Sequence, residues 1–228
     1  PFISRGLDAM NYACYQDARF MIVGTPSGIS LAPEGGAHQS IATPLIGISQ
    51  PGLLSFEPAF ADELALIMNY GFNFLQDEDG GSIYLRLSTR SIDQPLREMD
   101  NELKKNIIKG GYWLKKPGPN PEVIIIYQGA VASEVIEATA FLGERFKDLG
   151  VLSVTSSDNL FHEWKKQALS FKNNKTQSHI EKLLESVPKD TRMITVIDGH
   201  PMTLSWIGSV YGQKTIPLGI DRFGQTGN

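Results

Sequence analysis

The chain of 228 residues holds one cysteine, Cys14, so no internal disulfide can brace it. A buried reduced thiol and a cytoplasmic setting are the expectation. Positive charge is short as well. The 21 Lys and Arg against 25 Asp and Glu give a net charge of −4, which leaves no basic stripe for nucleic acid as the main partner. No apolar run approaches eighteen residues, so no membrane span is expected. The four histidines, His38, His162, His179 and His200, are scattered. None lies three or four residues from another histidine or from the cysteine, so there is no zinc signature and no metal site is assigned. The G-x-S-x-G of serine hydrolases, the P-loop and a strand-following G-x-G-x-x-G are missing too.

What is present reads as globular: 41% hydrophobic and 20% charged residues, enough for one large domain or two ordinary ones. The chain opens on Pro1 without a starting Met and stops after "GIDRFGQTGN", so a fragment of a longer chain is expected. Helical spacing of Leu7, Met10 and Cys14 precedes a short buried run, "FMIVG", closed by the turn "TPSG". A second strand is expected at "LLSFEP", and Pro58 then opens a helix with Phe60, Leu64, Ile67, Met68 and Leu75 on one side. A strand at "SIYLRLS" follows the breaker "DEDGG".

Between Ile92 and Pro121 the composition turns polar, with Lys104, Lys105, Lys109, Lys115 and Lys116 plus Pro117, Pro119 and Pro121. This stretch is expected to be a linker, with a hairpin through "GGYWL". Beyond it, strand "VIIIY", a helix carrying Val131, Val135, Ala138, Leu142 and Phe146, strand "VLSVTS", helix "LFHEWKKQAL", strand "MITVID", helix "HPMTLSWIGSVYG" and strand "KTIPLG" alternate. Gly150 suits the left-handed closing position of the first of these helices. Such alternation predicts an α/β fold of two three-layer α/β/α units with mostly parallel sheets. The expected division is 1–98, a linker over 99–121, and 122–228.

One stretch concentrates reactive groups. "APEGGAHQS" sets Glu34, Gly35, Gly36 and His38 directly after a buried run. Glycines let backbone pass close to a ligand, a histidine trades protons near neutral pH, and a carboxylate can fix its tautomer. Read as bare chemistry, the same residues equally describe a polar turn with a solvated histidine.

The whole string carries more than that motif. "PFISRGLDAMNYACYQDARFMIVGTPSGISLAPEGGAHQS" resembles the pyrimidine-binding domain of the transketolase superfamily of thiamine-diphosphate enzymes. It is most similar to homodimeric, single-chain 2-oxo-acid dehydrogenase components of the pyruvate type. "IIKGGYWLKK" with "EVIIIYQGAVASEVIEAT" resembles the start of the superfamily's C-terminal domain, and "IPLGIDRFGQTG" its closing loop. The resemblance makes 1–98 a partial pyrimidine-binding domain and 122–228 a C-terminal domain cut short at its end.

Carried over by residue, the resemblance implies that His38 faces the reacting substrate or cofactor-bound intermediate, with Glu34 beside it as the second catalytic residue. Gly35 and Gly36 would let the loop lie close to the cofactor. Phe2 would pack on the aminopyrimidine ring or, alternatively, enter the core, and Arg5 would pair with a carboxylate at the site or on the helix surface. Arg90 falls where phosphate-handling relatives place an arginine, which pyruvate-type members do not need. Asp221 and Phe223 belong to the closing loop and shape a domain contact.

The implied cofactor is thiamine diphosphate, with Mg2+ held by a domain that nothing here matches. The glutamate that activates the aminopyrimidine is also unmatched, so the chain alone is expected to be inactive. The implied reaction is oxidative decarboxylation of pyruvate with acyl transfer to lipoyl groups. The implied partners are a second copy in a homodimer and a lipoyl-bearing acyltransferase. Two alternatives stay open: a transketolase moving two-carbon ketol units between sugar phosphates, and a non-catalytic dimerisation or docking module.

Overall fold

The computed structural model describes residues 2–25, 28–30, 36–170 and 176–224, the side chains of Phe2 and Ala37 excepted. Two short helices, α1 (Phe2–Arg5) and α2 (Leu7–Tyr15), lead into β1 (Met21–Gly24). Met10 and Cys14, one helical turn apart, are the buried residues of α2. The chain continues through α3 (Leu45–Ser49), β2 (Leu53–Phe56), α4 (Ala61–Phe74) and β3 (Ser82–Arg86). The helix expected from Pro58 begins at Ala61. The Glu63 carboxylate accepts the backbone N–H groups of Ala59 (2.8 Å) and Phe60 (3.1 Å), donors that would otherwise lie unpaired at the helix start.

The polar stretch expected as a linker is built structure. It forms α5 (Asn101–Lys109) and β4 (Gly111–Lys115). Asp100 caps α5 by accepting from the Leu103 N–H at 2.7 Å, and Gly110 ends it in the left-handed region at φ 109°. Lys104 and Lys105 face solvent while Ile107 is buried, so the lysines mark one face of an amphipathic helix. β4 makes no hairpin.

After it come β5 (Val123–Gln128), α6 (Ala132–Leu142), β6 (Gly150–Val154), α7 (Ser157–Ala168), α8 (His179–Leu184), β7 (Arg192–Ile197), α9 (Met202–Ser205) and β8 (Thr215–Leu218). Gly150 does not close α6, which ends at Leu142. It opens β6 instead, and glycine is needed there because a Cβ would sit 2.9 Å from the Pro117 ring.

The strands make two sheets, ordered β1-β3-β2 and β4-β6-β5-β7-β8. Every pairing is parallel except β4 against β6, which is antiparallel at one edge. This is the mostly parallel α/β class expected. β3, β5 and β6 are buried at every position, which is why they read as continuous apolar runs.

Alternate residues face opposite layers. Ile124, Ile126 and Leu152 pack with Leu160 and Ile180 on one face of the larger sheet; Val123, Ile125 and Val151 pack with Val135 and Leu149 on the other. In the smaller sheet Ile83 and Leu85 meet Ile67 of α4, while Tyr84 between them meets Met10 and Cys14. Ile107 and Tyr112 join the first of these two clusters, so α5 and β4 seal the smaller sheet against the larger.

Candidate functional site

In an open parallel sheet the loops leave from the carboxyl ends of the strands, and ligands bind there. Here the carboxyl ends of both sheets converge. Glu57 follows β2, Arg86 ends β3, Gln128 ends β5, Thr155 follows β6 and Asp198 follows β7. All five are buried.

The Arg86 guanidinium is the hub. Nη1 donates to the Glu57 carboxylate, Nε to Thr43 Oγ1 at 3.0 Å, and Nη2 to the carbonyls of Asp198 (2.6 Å) and Ser40 (3.3 Å). Gln128 Nε2 donates to the other Glu57 oxygen at 2.9 Å, and the Glu57 N–H donates to the Thr155 carbonyl at 2.8 Å. Nearby, the Ser55 N–H donates to the buried Asp158 carboxylate at 2.7 Å. Burial pushes the Glu57 carboxyl up, and the Arg86 charge opposes that push. Gly129, at φ 67°, is required at this point because a Cβ there would fall on the Glu57 side chain.

A pocket of about 300 Å³ opens beside this hub. Ile3 and Gly6 from the first helices, Met10 of α2, and Ile22 to Gly24 of β1 form its apolar side; Thr25, Ser40, Thr43, Tyr84 and Arg86 form its polar side. Gly24 keeps the floor open, since a Cβ there would approach the Tyr84 ring to 3.0 Å. Burial holds the Tyr84 phenol up at about 12, so it stays a neutral hydrogen-bonding group at physiological pH. An apolar slot with a few fixed polar groups on one side suits a flat heteroaromatic ring.

The sequence-derived site residues separate around this pocket. Ser40 lines it, and His38 lies two residues earlier, exposed at the end of a short helical turn spanning Gly36–His38. Gly36 is buried under the closing loop: a Cβ would fall on the Gly224 carbonyl oxygen, and the Gly224 N–H donates to Gln39 Oε1 at 2.8 Å. Arg5 is exposed on α1 between the pocket residues Ile3 and Gly6. Glu34, Gly35 and the Phe2 side chain lie outside the described residues. Asp221 and Phe223 are exposed.

Arg90 is elsewhere. Its guanidinium pairs with the Glu134 carboxylate of α6 at 2.5 Å, both side chains being partly exposed.

Glu57, Arg86, Thr43 and Asp198 escaped sequence reasoning. For Glu57, Arg86 and Asp198 the signal was a polar or charged residue at the end of an apolar run, as in "LLSFE", "SIYLR" and "MITVID"; Thr43 had none. Among the described residues no group of three His, Cys, Asp or Glu could hold a metal ion, and no helix is long and apolar enough to cross a membrane.

Comparison with known proteins places these observations in a family. The transketolase-like C-terminal domain family matches residues 110–228. The pyruvate dehydrogenase E1 component of Escherichia coli (strain K12) is 30% identical over 150 residues, 65% of this chain and 17% of that protein. Transketolase 2 of the same organism is 27% identical over 157 residues, 69% of this chain and 23% of that protein. The chain thus spans less than a quarter of the length of these relatives. A transketolase variant from Pichia stipitis superposes with a TM-score of 0.74 at 22% identity, covering 99% of this chain and 29% of the other. A split-gene transketolase chain, described as an inactive β4 tetramer, gives 0.63 at 16% identity and covers 96% of this chain and 63% of that one.

Proposed function

We propose, from the premise that this chain belongs to the transketolase-like C-terminal domain family, that it supplies the pyrimidine-facing half of a thiamine-diphosphate site for oxidative decarboxylation of pyruvate. Carbon dioxide leaves, the acetyl group passes to a lipoyl sulfur, and the lipoyl disulfide takes the two electrons. When bound, thiamine diphosphate supplies the carbon nucleophile and the electron sink that pyruvate itself lacks.

The described residues fit one end of that cofactor and not the other. The slot between Ile22–Gly24 and Tyr84 accepts a flat ring, with Thr25 and Ser40 within its polar wall. No described cluster fits Mg2+; the proposal assigns the diphosphate end and its metal to groups outside these residues. His38 stands at the exposed end of its turn, where its imidazole is proposed to hydrogen-bond the reacting group. Glu34 is proposed to orient its imidazole. The side chains of Tyr12 and Tyr15 on α2 and of Val23 in the pocket wall stand exposed at 64%, 80% and 49%. A homodimer that covers them, and a lipoyl-bearing acyltransferase as acceptor, complete the proposal.

The observation that carries pyruvate over a sugar phosphate is the pairing of Arg90 with Glu134. A phosphate dianion would have to displace that carboxylate to use the arginine, whereas pyruvate makes no demand on it. Assay of the complete protein with pyruvate against a ketose phosphate and an aldose acceptor tests the choice. The expected result is carbon dioxide release from pyruvate without ketol transfer, with R90Q within about twofold of wild type. Ketol transfer that R90Q abolishes would establish the transketolase reading instead.

A further inference from the structure

The loop that carries His38 is held by the far unit of the molecule. Gly28 and Ser40, on either side of it, meet in an isolated antiparallel bridge. The side chain of Asp198, just past β7, reaches the first end of this loop: Oδ1 accepts from the Ile29 N–H at 2.7 Å and Oδ2 from the Ser30 N–H at 3.2 Å. The backbone carbonyl of the same residue accepts from Arg86 Nη2, and that nitrogen also donates to the Ser40 carbonyl at the second end. Two residues on, the His200 N–H donates to the Ile41 carbonyl at 2.9 Å. Gly28 sits at φ 42°, and a Cβ on it would fall on the Asp198 carboxylate. Only glycine admits this approach.

A buried carboxylate receiving two backbone N–H groups is a charge-assisted, directional anchor. We propose that Asp198 is a positioning residue for His38, fixing the base of its loop from the C-terminal unit so that the imidazole is presented beside the pocket. This rests on the proposed function only in the meaning given to His38; the anchor itself is a property of the fold. It also gives the second unit a role in the site without any of its side chains lining the pocket.

The isosteric variant D198N keeps the shape but turns one acceptor into a donor facing a backbone N–H. The variant G28A attacks the same anchor from the loop side, where a Cβ would crowd both the Asp198 carboxylate and its backbone carbonyl. In the full chain, amide hydrogen exchange at Ile29 and Ser30 should accelerate at least tenfold in both variants, with exchange in β5 and β6 unchanged. In turnover with thiamine diphosphate, Mg2+, pyruvate and an artificial electron acceptor, kcat should fall at least tenfold with KM within about threefold, because binding is retained and presentation is lost. Unchanged exchange at Ile29 and Ser30 in both variants would overturn the anchor. Faster exchange with undiminished kcat would overturn the positioning role. Wild-type protein that shows the protection but never consumes pyruvate would sink the functional reading while supporting the anchor.

Discussion

Among the described residues two glutamates are buried with an arginine beside each, and they serve different ends. Glu63 sits at the start of α4, where it accepts the Tyr112 hydroxyl at 2.5 Å and the N–H groups of Ala59 and Phe60; Arg97 lies over the Tyr112 ring and grips Asp62 at 2.7 Å. Its partners are local to one corner, and they lock α4 to β4. Glu57 instead joins the strand ends of both sheets and, through Arg86, touches the pocket and the loop of His38. Similar groups are therefore architecture in one place and part of the site's frame in the other. What separates them is the direction in which their spare hydrogen bonds point.

That contrast is open to perturbation. The largest effect is expected for R86M, which leaves Glu57 buried without its charge partner. Loss of one member of such a pair costs about 3 to 5 kcal/mol, read as the urea midpoint, and a loss below about 1 kcal/mol would show that Glu57 finds water or takes up a proton at no cost. Y112F comes next. It removes the hydroxyl that Glu63 accepts and should cost about 1 to 3 kcal/mol, with no change in ligand binding at the pocket. If Y112F altered the pocket as R86M does, the distinction between the two corners would fail.

R90Q should be nearly silent in stability, within about 1 kcal/mol, because its pair with Glu134 is solvated. The smallest effect is pH-dependent. His162 Nε2 lies 3.1 Å from the Asp158 carboxylate, and that hydrogen bond raises the imidazole pKa. A group raised in the folded state stabilises fully below its unfolded value of about 6.5 and loses that contribution as pH climbs through the folded value. The stability gap between wild type and H162Q should therefore be positive in acid and close toward alkaline pH. It should stay below about 1 kcal/mol because the ring is half-exposed. A gap that widened with pH would contradict the assignment.

The alternation of apolar runs and helical periods was enough to read the parallel strands of both sheets, because strands buried on both faces leave largely apolar runs in the sequence. The frame of the site was not legible, since Arg86 meets Glu57 across 29 residues and Asp198 across 112. No local spacing encodes such pairs. The prolines and lysines of 92–121 hid α5, whose inward face rests on Leu103, Ile107 and Ile108. Gly150 resembled a helix end although its need is set by Pro117, a neighbour only in space. Of the residues assigned by resemblance, His38, Gly36 and Arg5 fall near the pocket mouth or its loop, while Glu34, Gly35 and the Phe2 side chain lie outside the described residues.

The most direct test of the whole account is an amide-resolved NMR titration of the complete protein with thiamine diphosphate and Mg2+. The account predicts that the shifts cluster at Ile22 to Thr25 and at Ser40 to Thr43, around the slot floored by Gly24 and Tyr84. Shifts confined to the opposite end of the larger sheet, near Glu122 and Arg192, or none at millimolar cofactor, would contradict it.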